Sequence, residues 1–86
     1  MIKRLDEIKK GETGLVKRVY GEGKVRHRLF DLGVTPGVKL SMRKEAPLGD
    51  PIELTIRGYE LSLRKAEAAN VEIEVVEEGE KLWELH

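Results

Sequence analysis

Four short segments of this chain alternate apolar and polar residues with a period of two, and that pattern constrains the fold more than any other feature. Val38, Leu40 and Met42 interleave with Lys39, Ser41 and Arg43. Ile52, Leu54 and Ile56 interleave with Glu53, Thr55 and Arg57, and Tyr59, Leu61 and Leu63 with Glu60, Ser62 and Arg64. Val71, Ile73 and Val75 make the last. Each segment reads as a half-buried strand with one face turned inward. A further strand is expected over 15–20, which is rich in β-formers although Lys17 and Arg18 interrupt its apolar positions. So many inward faces in 86 residues demand a surface that wraps on itself, because flat open edges invite aggregation. The expected fold is mainly β: a small antiparallel barrel of about five strands.

The exception to the alternation is EGKVRHRLFDLGVTPGV, residues 22–38. Val25, Leu29 and Leu32 recur at helical spacing with Phe30 beside them, which predicts one short amphipathic helix between the first two strands, with Phe30 in the core. Gly33 is placed to end it in a left-handed conformation, with Val34 closing a Schellman cap on Leu29. Thr35-Pro36-Gly37-Val38 then reads as a type II turn, Pro36 fixing φ at its second position and Gly37 supplying a positive φ at its third. In the connector 46–51, Pro47, Gly49 and Pro51 rule out regular structure. Ile2, Leu5 and Ile8, spaced three apart, predict a short helical turn near the N-terminus, and a second is expected over 65–69, capped by Asn70.

These elements fill one domain over 1–76, leaving an acidic and apolar tail over 77–86 whose Leu82, Trp83 and Leu85 could dock on the barrel or a neighbour. The chain has no cysteine, so neither disulfides nor thiolate zinc can brace it. The N-terminus lacks a signal-peptide apolar run and no stretch is long enough to span a bilayer, so a soluble cytoplasmic protein without direct membrane insertion is expected. Sixteen Lys and Arg balance sixteen Asp and Glu, which argues against a general nucleic-acid binder.

The side chains offer little chemistry. With no cysteine and two histidines, one of them terminal, nothing prepares a nucleophile and base, and no glycine-rich phosphate loop follows a strand. The chain is therefore read as a non-enzyme that requires no cofactor. His27 and Asp31 lie one helical turn apart and could converge weakly on Fe2+ or another divalent transition metal; the plain alternative is a solvent-exposed histidine that forms a modest ion pair with its neighbour. Protein recognition is the better class, with Lys24, Arg26, His27 and Arg28 on the helix and Leu48 and Asp50 in the adjoining connector as candidate partner-binding residues.

Leu5 with Gly11, Gly14 and Val16, then RLFDLGVTPG over 28–37, APLGDP over 46–51 and LSLRKAEA over 61–68 together resemble the ferrous iron transport protein A family. That family is an SH3-like barrel, similar also to the carboxy-terminal domain of iron-dependent repressors of the diphtheria toxin repressor type. The resemblance implies a bacterial accessory protein of ferrous iron uptake that engages a membrane transporter, ferrous iron transport protein B, whose soluble part binds GTP. It further implies a cytoplasmic location, peripheral to the inner membrane through that partner. Gly33, Pro36, Gly37, Pro47, Gly49 and Pro51 would be architectural. Repression is not implied, since no DNA-binding domain is present in this sequence. Strand edges or the tail 82–85 would be the surfaces for a homodimer.

Overall fold

The computed structural model describes residues 1–76; the tail expected over 77–86, with its docking and dimer roles, lies outside the described residues. Six antiparallel strands run β1 Ile2–Arg4, β2 Thr13–Val19, β3 Lys39–Glu45, β4 Ile52–Ile56, β5 Tyr59–Leu63 and β6 Val71–Val75. A 3₁₀ turn, Leu5–Glu7, follows β1; helix α1, Gly23–Asp31, joins β2 to β3; and helix α2, Lys65–Ala68, joins β5 to β6. Among the described residues no helix is long and apolar enough to cross a membrane.

The strands form one sheet in the order β1-β6-β2-β3-β4-β5. This corrects the expected barrel of about five strands: among the described residues there are six, and the two ends of the sheet, β1 and β5, do not pair. Closure is unnecessary because other elements seal the apolar side. Leu5 of the 3₁₀ turn, Leu29 of α1 and Ala68 of α2 are each wholly buried in the same cluster as Val16, Leu40, Leu54, Leu63 and Ile73. The edges are managed by other means: β1 is only three residues long and carries Lys3 and Arg4, and β5 turns Glu60 and Ser62 outward.

Alternation predicts the inward set well in β4 and β6, whose residues are buried at every second position. Two register shifts interrupt it elsewhere, one in β2 between Val16 and Arg18, the other in β3 between Met42 and Lys44. The first lets Val16 and Val19 both point inward while Lys17 and Arg18 both stay in water. An extra residue in one strand has this effect: it breaks the two-residue period locally and bends the strand. The β4–β5 hairpin has a two-residue loop, Arg57-Gly58, with both residues at positive φ (50° and 85°), which suits the twist of the paired strands.

Candidate functional site

Helix α1 leaves its last turn by the cap expected from Gly33. Gly33 has φ of 95°, its N–H donates to the Phe30 carbonyl at 2.9 Å, and the Val34 N–H donates to the Leu29 carbonyl at 2.9 Å, the two bonds of a Schellman motif. The turn after it closes as predicted, with the Val38 N–H on the Thr35 carbonyl at 3.1 Å and Gly37 at φ 93°. Gly37 also donates to the Val16 carbonyl at 2.7 Å, tying the turn to β2. One further lock has no local signature in the sequence. The Tyr59 hydroxyl, from β5, donates to the Leu32 carbonyl at the end of the helix. A Cβ on Gly33 would stand 2.8 Å from that hydroxyl oxygen, so a side chain here would both be strained by its φ and push the hydroxyl off the Leu32 carbonyl.

The helix so held presents Lys24, Arg26, His27, Arg28 and Asp31 to solvent. Gly23, Lys24, His27, Arg28 and Asp31 line one shallow depression. Arg26 lies on the other side of the helix, its guanidinium carbon 5.3 Å from the centre of the Phe30 ring. Phe30 is thus not the core residue expected; it is 38% exposed, because Leu29 takes the inward position and the next residue is turned about 100° away from it. Arg28 is already engaged: its Nε donates to Glu67 Oε2 at 2.6 Å, joining α1 to α2. Partial burial pushes the Glu67 carboxyl up, but the hydrogen bonds from Arg28 and from the Arg64 N–H, with the charges of both guanidinium groups, outweigh it and hold the carboxyl below its usual range. His27 and Asp31 share the depression with two cations, Lys24 and Arg28. Among the described residues no three His, Asp or Glu side chains gather into a metal-binding group.

The connector 46–51 is fixed at both ends. The Gly49 N–H donates to the Ala46 carbonyl at 2.7 Å, Gly49 having φ 88°, and the Ala46 N–H donates to the Pro51 carbonyl at 3.0 Å. The peptide between Asp50 and Pro51 is cis. Pro47 and Leu48 occupy the exposed tip, where Leu48 is 95% exposed. Asp50, one of the candidate partner-binding residues, is exposed and accepts the Lys65 N–H at 2.9 Å, satisfying a donor that the start of α2 leaves without an intrahelical partner. Lys65 Nζ reaches Glu45 at 3.2 Å. Among the described residues, Lys24 and His27 on this face have no ion-pair partner and Leu48 stands exposed, as does Arg26 on the other side of the helix, whereas Arg28 and Asp50 have partners within the chain. Sequence reasoning missed Tyr59, Lys65 and Glu67 as the residues that position this face. Glu67 stands three residues after Arg64, which is capping-box spacing, but Arg64 is not one of the side chains that announce a helix start.

Comparison with known proteins agrees with this architecture. The FeoA domain family model matches residues 3–75. A fusion protein of Fe(2+) transport protein A and the Fe(2+) transporter FeoB from Porphyromonas gingivalis is 36% identical over 73 residues, covering 85% of this chain and 9% of that protein. The chain thus spans about a tenth of that relative. The solution structure of an FeoA-like protein from Clostridium acetobutylicum is 38% identical, with a TM-score of 0.83 over 88% of each chain. A manganese-dependent transcriptional repressor, 16% identical, shares the fold alone, with a TM-score of 0.79 over 87% of this chain and 42% of its own. With nearly all of its described length matched by one family model, and with the glycine-capped helix and the proline-bounded connector both in place, this chain belongs to the FeoA family of non-catalytic domains.

Proposed function

We propose that this chain is a cytoplasmic accessory domain of ferrous iron uptake, docking on an FeoB-type transporter and acting on its GTP-binding soluble part. The observation that carries the reading is the relative in which transport protein A and the transporter are a single fused chain. Fusion holds the two at high effective concentration, an arrangement that favours a working contact between them. The contact surface is the outer face of α1, with Lys24 and His27 at its centre and Leu48 at the connector tip as an apolar anchor. A rigid helix loses little conformational freedom on binding, so such a face is suited to recognition. Docking is preferred to divalent metal binding by His27 and Asp31 because Lys24 and Arg28 place two positive charges beside that pair.

The test reverses charge where the chain itself does not need it. Lys24→Glu combined with His27→Glu, and separately Leu48→Asp, should weaken co-purification with a detergent-solubilised FeoB-type transporter and lower ferrous uptake in cells relying on this chain. Their melting temperatures should match the parent. Unchanged association in folded variants would refute the surface.

A further inference from the structure

A second cleft lies on the opposite side of α1 from Lys24 and His27, between that helix and the end of β2. Lys17, Arg18, Val19, Tyr20, Gly21, Arg26 and Pro36 line it, enclosing about 410 Å³. It contains three cations and no carboxylate, in a chain whose formal net charge is zero. Three separate devices aim those cations. The register shift at Lys17 sets Lys17 and Arg18 both in water, where a regular strand would have turned Arg18 toward the core beside Val16. Arg26 is steadied by the face of the Phe30 ring, leaving its edge N–H groups free to donate. The third is the Gly21 turn, which has φ of 105° and a Cβ position 3.2 Å from Asn70 Oδ1; it brings β2 round against the start of the helix.

Among the described residues, Arg18 and Arg26 have no ion-pair partner, and Lys17 has only Glu74 at 3.7 Å, with both side chains about half exposed. Beside them Tyr20 and Phe30 are 49% and 38% exposed. Arginine and aromatic side chains standing together on a surface are the composition of an interface centre. The cleft is more open than enclosed, which suits a chain segment better than an enclosed small anion. We propose that it binds an acidic, partly apolar segment of a protein partner, with the carboxylates on Lys17, Arg18 and Arg26 and an apolar side chain against Tyr20. This surface shares no residue with the transporter-docking face, so either can fail without the other.

The test is a titration of the full ¹⁵N-labelled chain with a capped hexapeptide of alternating glutamate and leucine, followed by amide chemical shifts. Shifts should concentrate at residues 17–21 and 26 and weaken as salt rises. Arg18→Gln and Arg26→Gln should each weaken binding about two- to fivefold, the yield of an exposed ion pair, at unchanged melting temperature. Shifts elsewhere, or equal binding by the variants, would overturn the proposal. So would tighter binding of tripolyphosphate than of the peptide at the same amides, which would mark a small-anion site. Amides of residues 77–86 shifting in the variants without peptide would make the chain's own end the occupant, and that result also overturns it.

Discussion

Replacing Gly33 by alanine should destabilise the domain by about 1.5–3.5 kcal/mol, and the penalty should depend on Tyr59. Two costs add. At φ of 95° an L side chain is strained by about 1–2 kcal/mol. The new Cβ would lie 2.8 Å from Tyr59 Oη, so the hydroxyl must retreat, surrendering its bond to the Leu32 carbonyl, worth about 0.5–1.5 kcal/mol. Tyr59→Phe alone should cost only that second amount. In the phenylalanine background no hydroxyl opposes the methyl group, so Gly33→Ala should cost only its backbone share, and the double variant should be about 1 kcal/mol more stable than the sum of the singles predicts. Urea unfolding of the four proteins, followed by far-ultraviolet circular dichroism, measures the cycle. The single Gly33→Ala change should lower the melting temperature by at least about 6 °C for a domain of this size. Additivity within about 0.3 kcal/mol would show that the hydroxyl and the glycine are not coupled, and the account of the helix exit would be wrong.

Glu67 and Glu12 are both held below the usual carboxylate range. In each, partial burial pushes upward and is outweighed: at Glu67 by Arg28 and the Arg64 N–H, at Glu12 by the Lys9 N–H and Lys3. A depressed folded value means the unfolded chain binds more protons in acid. The stabilisation is therefore present at neutral pH and is lost as pH falls through the carboxylate range, from about 5 to 3. Glu67→Gln and Glu12→Gln should each cost at most about 1 kcal/mol at pH 7, because both ion pairs have partly exposed members, and should flatten the acid limb of the stability curve measured by denaturant midpoint. Gly14→Ala should cost about 1–3 kcal/mol by overpacking, since its Cβ would meet Ile73 Cδ1 at 2.9 Å; Ile73→Val, which removes that atom, should recover part of the loss in a thermal melt.

What the sequence reveals divides along a physical line. The period-two runs and the glycine-capped helix are decided by residues within a few positions of each other, and β3 to β6 and the exit of α1 stand where those residues place them. Strand β1 was hidden because Ile2, Leu5 and Ile8 are spaced three apart, which a helix, or a strand followed by a 3₁₀ turn, satisfies equally. Whether a sheet closes depends on its two ends meeting, and no local pattern encodes that; here Leu5, Leu29 and Ala68 fill the space closure would have filled. On the candidate face the exposed residues were legible from helical phase. The bond between Arg28 and Glu67, 39 residues apart in the chain, was not.

That distant bond belongs to a set that gives α2 its purpose. Four residues are too few for a helix stable by itself, yet this one touches every surface assigned a role. Lys65 takes the Asp50 carboxylate on its N–H, and Glu67 takes Arg28. Asn70, just past the helix, donates from its side chain to the Ala66 carbonyl at 3.1 Å and accepts the Tyr20 N–H on its own carbonyl at 2.6 Å. The connector tip, the outer face of α1 and the cationic cleft are thus fixed to one short element that is itself anchored in the core through Ala68. A partner touching any two of these surfaces meets them at a preset separation, without the ordering cost that independent loops would impose. Because the bond from Tyr20 is to a backbone carbonyl, Asn70→Ala keeps it and removes only the side chain's own donation, chiefly to the Ala66 carbonyl. The change should cost about 0.5–1.5 kcal/mol in a denaturant melt while acidic-peptide binding and transporter association both hold. A loss of either would show that the fixed spacing runs through the side chain instead.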